Sequence, residues 1–283
     1  MAAKLLASCP RLLRFNLSFD DYAEDDWLED DSLDWYQQSG SSMLKWNASA
    51  DGNDGVSPQK RESALRFDHL TRALVTCALV QLDLDVLDLG QATSVLLNSI
   101  RTALPEFKSL QDLRLSGEEH ATVDCWREWN FEHTQLRRLE IVECTHLDLL
   151  SLRQMLGSSR HTLIQLSLFR LDLDGTAGPS ATSIDDASLP DSPRALQRLR
   201  LETVMGSGDL LDVLRHSLMS KLLLIKAHPE QPNVDDLLRF ICQHPSLKSI
   251  EDSTKRAGGI ASLEVLETVC KVAGVDYVRI PAK

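Results

Sequence analysis

The fold class this sequence predicts is α/β: a solenoid with a curved parallel β-sheet on its concave face and helices on its convex face. Three observations predict it. A six-residue pattern, apolar-x-x-apolar-x-apolar, recurs nine times, beginning at Leu12, Leu79, Leu110, Leu136, Leu163, Leu196, Met219, Leu247 and Val275, with Asp252 in place of the last apolar residue in the copy at Leu247. From Leu79 onward the starts lie 31, 26, 27, 33, 23, 28 and 28 residues apart, the length of one strand-turn-helix coil. Between most copies the apolar residues fall at helical spacing. Strands stack about 4.8 Å apart whereas helix axes pack roughly 8–10 Å apart, so a stack with one on each side must bend, strands inside.

In chain order, the copy at Leu12 is followed by an interval of 67 residues, long enough for two coils and an insertion. A degenerate strand is expected at Met43–Ala48, with the surrounding span, about 20–62, forming an acidic flexible insertion. The clearest unit is Leu136-Arg-Arg-Leu139-Glu-Ile141, with Cys144 at the ladder position three residues later. Its helix is expected to start from the Thr145/Asp148 pair, carry Leu149, Leu152 and Leu156 inward, and stop at Gly157. Residues 172–193 hold Gly175, Gly178, Pro179, Pro190 and Pro193 among Ser, Thr and Asp, which reads as a flexible loop in place of a helix. Ser207 precedes Leu210, Leu211, Leu214 and Leu218 on one helical face. Asn233 offers a cap to a helix with Asp235 and Asp236 in its first turn, where the dipole favours acids. A last helix runs from Ser262 to Gly274. All of this fits one elongated domain, residues 1–283, because a repeat array buries each unit against its neighbours and needs no central core.

A period in the twenties carrying L-x-x-L-x-L-x-x-N/C is the signature of a leucine-rich repeat. Leu-Arg-Arg-Leu-Glu-Ile-Val-Glu-Cys at 136–144 resembles repeats of the ribonuclease-inhibitor or cysteine-containing kind. The irregular spacing, the Thr-Leu-x-x-Leu-Ser-Leu phrase at 162–168 and the acidic Trp-bearing insertion resemble the repeat region of fungal F-box proteins. That resemblance implies a substrate-binding arm of a cullin–RING ubiquitin ligase, with the ligase adaptor as a further partner. A repeat-like strand already begins by Leu12, so the expectation is an arm that lacks or has lost its F-box. A stand-alone repeat scaffold or inhibitor without ubiquitin chemistry is the alternative. At other ladder positions the sequence departs from the pattern, holding Asp20, Leu87, Glu118, Leu171, Val204, Ala227 and Lys255 where Cys144 fits.

The net charge of −12 is local rather than general. Residues 15–44 contain nine acids and no base, and without them the net charge falls to −3. No basic stripe remains to follow a phosphate backbone, so nucleic acid is not expected as a ligand. The acidic run has two readings: a solvated insertion, or a segment that folds onto a basic partner through Tyr22, Trp27, Trp35 and Tyr36. No apolar run approaches the roughly 20 residues of a membrane span. The amino terminus lacks the pattern of a secretory signal, and six scattered cysteines include no CxxC pair. A cytoplasmic or nuclear protein is expected.

Catalytic constellations are missing from the sequence: there is no GxSxG, HExxH or Gly-rich phosphate loop with Lys. His120, Asp124, Cys125 and His133 match no zinc spacing, and neither a metal nor a cofactor is expected. Trp126, Trp129 and Phe131 are expected to pack on the helix side of their coil. The functional positions are then those a strand cannot bury, between the motif leucines and facing the concave surface. They include Arg114, Arg138, Glu140, Gln165, Phe169, Arg198 and Arg200, a set in which arginines surround an aromatic as at interface hot spots. The expected activity is recognition of another protein through that face, without catalysis.

Overall fold

A computed structural model describes residues 12–18, 33–38, 41–47, 68–85, 92–118, 126–173, 193–225, 232–253 and 260–280. The chain is α/β, with helices on one side of an 11-stranded sheet. The strands are β1 (Arg14–Ser18), β2 (Leu33–Gln38), β3 (Ser41–Asn47), β4 (Gln81–Asp85), β5 (Asp112–Glu118), β6 (Arg138–Cys144), β7 (Gln165–Asp172), β8 (Arg198–Met205), β9 (Lys221–Ile225), β10 (Ser249–Asp252) and β11 (Asp276–Arg279). Among them run helices α1 (68–75), α2 (Ala92–Ala103), α3 (Leu149–Ser158), α4 (Ser207–Val213), α5 (Val234–Gln243) and α6 (Ile260–Ala273). Sheet order is β11-β10-β9-β8-β7-β6-β5-β4-β1-β3-β2, and every pairing is parallel except that of β2 with β3.

Nine of these strands, β1 and β4 to β11, correspond to the nine copies of the sequence pattern. The first residue of each copy is buried, from Leu12 through Val275. One backbone device repeats from unit to unit, because the residue after that buried one turns its carbonyl to two successive amides of the next strand. Leu13 accepts from Val80 and Gln81 at 2.8 and 2.9 Å, Gln111 from Arg137 and Arg138 at 2.7 and 2.9 Å, and Ile164 from Gln197 and Arg198 at 2.9 and 3.0 Å. Parallel stacking therefore starts in the same phase at each step, and the motif leucines line up. Leu82, Leu113, Leu139, Leu166, Leu199 and Leu222 form one buried row and Leu84, Leu115, Ile141, Leu168, Leu201 and Leu224 the next.

The long first interval differs from the sequence expectation. β1 pairs directly with β4, in register from Arg14↔Gln81 to Ser18↔Asp85, so only one coil separates them. Strand β3 does form near the expected place, but it lies on the far side of β1, with β2 antiparallel at the sheet edge. Part of the span expected as flexible insertion, about 20–62, is thus a pair of strands that extends the sheet outward and gives β1 a neighbour on both sides. The reason is that a parallel array accepts any strand at its exposed edge, whereas a new coil would need another helix to cover it. The acidic residues 20–32 lie outside the described residues, as do 48–67 and most of the expected loop at 172–193; Asp172 ends β7 and Leu173 is buried.

Three units share one backbone feature just before the ladder position, whether or not a cysteine stands there. Glu143, Arg170 and Thr203, one residue before the ladder site in β6, β7 and β8, all have left-handed φ values of 54°, 50° and 54°. Each costs roughly 1–2 kcal/mol for a residue with a side chain. The kink resets the alternation, so that Cys144, Leu171 and Val204 turn into the core at 2%, 2% and 1% exposure. Cys144 Sγ lies 3.8 Å from the Leu115 carbonyl of the preceding strand. Apolar burial replaces the polar ladder in the other two units.

Helix ends show the same mixture. Asp148 alone caps α3, its carboxylate accepting from the Ser151 amide at 2.6 Å, and the helix continues through Gly157. Asn233 caps α5, as the sequence suggests, and Asp236 adds the return bond of a reciprocal capping box. Helix α4 is short: Gly206, with φ 71°, supplies its left-handed start, and it ends at Val213. Leu218 is consequently 62% exposed rather than on the helix's inner face. Trp126, Trp129 and Phe131 are fully buried, with ring centroids 6.2 and 6.0 Å apart along the series, and Trp126 Nε1 donates to the Thr145 carbonyl at 3.1 Å. Among the described residues no helix is long and apolar enough to cross a membrane.

Candidate functional site

The outward face of the sheet, opposite the buried leucine rows, is assembled from alternate strand residues in three rows. On β6 to β9 the first row is Arg138, Gln165, Arg198 and Lys221, the second Glu140, Ser167, Arg200 and Leu223, and the third Val142, Phe169, Glu202 and Ile225. All seven residues singled out from the sequence lie on this face, and six of them, all but Arg114, lie on these four strands.

The face has two parts with different electrostatics. Toward β1 the second row is an internally paired ladder. Asn16 donates to Asp83 at 3.3 Å, Arg114 reaches Asp83 at 3.7 Å, and Arg114 Nε meets Glu140 at 3.1 Å. Arg138 is 3.7 Å from Asp112 in the first row. Arg114 and Glu140 are therefore already committed to each other, and exposed pairs of this kind contribute about 0–1 kcal/mol.

Toward β9 the character changes. The Arg200 guanidinium carbon lies 4.6 Å from the centroid of the Phe169 ring, and its Nη2 meets Glu202 at 3.1 Å. Arg200 Nε is buried and lacks a hydrogen-bond partner among the described residues. Arg198 is exposed and carries no ion pair among them, while Lys221 pairs with Glu251 of β10. Val142, Phe169, Leu223 and Ile225 are all half-buried, leaving apolar surface beside the cations. Ser167, between Glu140 and Arg200 in register, is only 2% exposed: a small residue flanked by two long ones is covered by them.

Leu223, Ile225, Val142 and Lys221 were not among the residues picked from the sequence. The signal was present in Lys221-Leu-Leu-Leu-Ile225, a strand without alternation, which places apolar side chains on the outward face as well as the core. At the other candidate cluster, His133 is exposed, and His120, Asp124 and Cys125 lie outside the described residues. Among the described residues no group of His, Cys, Asp or Glu is arranged to hold a metal.

Comparison with family models, curated proteins and solved structures yields no match for this chain. The class that the structure defines is therefore that of an α/β protein whose largely parallel sheet is wound one strand per unit, compatible with a solenoid.

Proposed function

We propose that this chain is a non-enzymatic leucine-rich repeat protein that recognises another protein through the outward, concave face of its sheet. The observation that carries the reading is the juxtaposition on β6 to β9 of half-buried apolar side chains with the Arg200–Phe169 stack and Arg198, which has no ion pair among the described residues. Apolar surface with arginine and an aromatic is the composition of a binding hot spot, and a rigid sheet presents it without the entropy cost of ordering a loop.

The resemblance of the irregular repeat spacing, the 162–168 phrase and the acidic Trp-bearing insertion to the repeat region of fungal F-box proteins supports a more specific setting, the substrate-binding arm of an F-box-type ubiquitin ligase component, in the cytoplasm or nucleus. Copurification tests that setting. Recovery of the cullin–RING adaptor at stoichiometric level with the tagged chain supports the ligase arm. A stable partner recovered without adaptor or cullin makes the chain a stand-alone scaffold or inhibitor. Turnover of ester, phosphate or peptide substrates that survives repurification would overturn both.

A further inference from the structure

We propose that the outer side of the last unit, formed by α6 and β11, is a contact surface for a second copy of this chain. Among the described residues β11 is the end strand of the sheet and pairs with β10 alone, whereas toward the opposite end β1 is covered by β3 and β2. Five large apolar side chains are exposed among those residues, and three of them lie on this one unit. Val265 is 50% exposed, Val272 85% and Val278 43%. Val265 and Val272 stand two helical turns apart with the half-buried Val269 between them, so α6 turns an apolar strip away from the stack. Leu266 and Cys270, on its other face, are buried. A unit that closes a repeat array needs a polar outer side, because no neighbour covers it. This surface is separate from the outward face of β6 to β9, and its assignment does not rest on the recognition reading.

A second copy is the occupant this surface fits, because its pattern complements itself across a two-fold axis. Two end strands that meet edge to edge about an axis normal to the sheet run antiparallel, and so do the helices above them. Set about the midpoint of Thr268 and Val269, α6 places Val265 against Val272 of the second copy, and the contact recurs on the other side of the axis. Charge agrees with this. The exposed Glu264 and Lys271 flank the strip on one side of the helix. In the same arrangement Glu264 of each copy stands beside Lys271 of the other, offset by about 3 Å along the axes at about 1.5 Å per residue. The sheet edge fits as well. The Asp276 and Ile280 amides bond back to the Lys248 and Asp252 carbonyls at 2.8 and 2.9 Å, so alternation turns the Arg279 amide to the open edge. Antiparallel pairing about Val278 sets that residue against its own copy and Arg279 against Tyr277, a favourable cation and aromatic pair. The two sheets then join with their outward faces on the same side, so one assembly presents that face twice.

Sedimentation equilibrium of the full chain, from micromolar to near-millimolar concentration, tests this. A reversible dimer is expected. Val265→Asp with Val272→Asp is expected to weaken it by about ten-fold or more, as removal of an interface anchor does. Glu264→Lys and Lys271→Glu should each weaken it, and the double exchange should restore it. Within one chain the two side chains lie two helical turns apart, so only a contact between copies couples them. Leu218→Asp, at an exposed leucine on another unit, leaves the dimer unchanged, and circular dichroism confirms that each variant is folded. A chain that stays monomeric over the whole range, a dimer indifferent to the valine substitutions, or a double exchange that does not restore association overturns the proposal.

Discussion

Arg200, on β8, lays its guanidinium over the ring of Phe169 on the adjacent strand β7, 4.6 Å from guanidinium carbon to ring centroid. The two belong to different rows of the outward face, so the stack leans along the strand and joins the basic and apolar parts of the surface. An exposed cation–π contact contributes about 0.5–1 kcal/mol, too little to hold a repeat together. Its consequence is local: the arginine is pre-positioned with its plane fixed, which lowers the ordering cost when a partner arrives.

Phe169→Ala and Arg200→Glu should therefore change stability little. Each loses a contact of about 1 kcal/mol or less on a half-exposed surface. Urea denaturation checks this; an unfolded protein in either case would mean that the outward face is part of the core.

Leu139→Ala and Leu166→Ala should behave in the opposite way. Both side chains are buried at 1% exposure or less and lie side by side in one leucine row. Truncation of a buried leucine costs roughly 2–5 kcal/mol, and the spread depends on how far neighbours close the cavity. Urea midpoints of the single variants measure it, and a loss below about 1 kcal/mol would contradict the close packing of the rows.

The direct pairing of β1 with β4 makes the intervening chain dispensable for stacking. Removing residues 20–58 shortens the interval from Leu12 to Leu79 from 67 residues to 28, the same as the two C-terminal intervals. The shortened chain should fold with a cooperative thermal transition and retain the β1–β4 pairing, detected as slow amide exchange at Val80 and Gln81, which bond to Leu13. Rapid exchange at those two amides with the rest protected would show that β1 needs the β2–β3 pair to stay in place.

Cys270 provides a pH test of the C-terminal coil. Burial, with a contribution from the Glu267 carboxylate, pushes its thiol from 9.0 up to about 11. The unfolded chain thus ionises first as pH rises. The stabilisation is fully present below pH 9.0 and is lost progressively as pH climbs to about 11. Cys270→Val removes the titrating group and keeps an apolar side chain of similar size. Between pH 9.0 and about 11 the native chain should lose more stability than the variant. Identical pH slopes would place the thiol in water.

The fold was legible where the alternation is strong. Nine copies of one pattern become nine strands because each motif leucine has a single way to be buried once the face is chosen. The β2–β3 pair was not legible, since pairing at a sheet edge depends on backbone groups that carry no side-chain signature. Left-handed residues at Glu143, Arg170 and Thr203 were hidden for a related reason, as none is Gly or Asn and tertiary packing of the next residue imposes the kink. For the site, the arginines and Phe169 followed from alternation alone. Which of them are engaged did not: Arg114 and Arg198 look alike in sequence, and only the register shows acids on both sides of the first. The apolar residues of β9 were not legible as outward-facing, because Lys221-Leu-Leu-Leu-Ile225 lacks the alternation that separates the two faces of a strand.

The most direct measurement is quantitative affinity capture from the protein's own cell extract, with the native chain beside the doubly reversed Arg138→Glu/Arg200→Glu form and a matched melt for each. The account predicts equal melting behaviour and at least one stoichiometric partner that is recovered by the native chain and lost by the reversed one. A partner retained equally by both folded forms would contradict it, and would move recognition away from the outward face of β6 to β9.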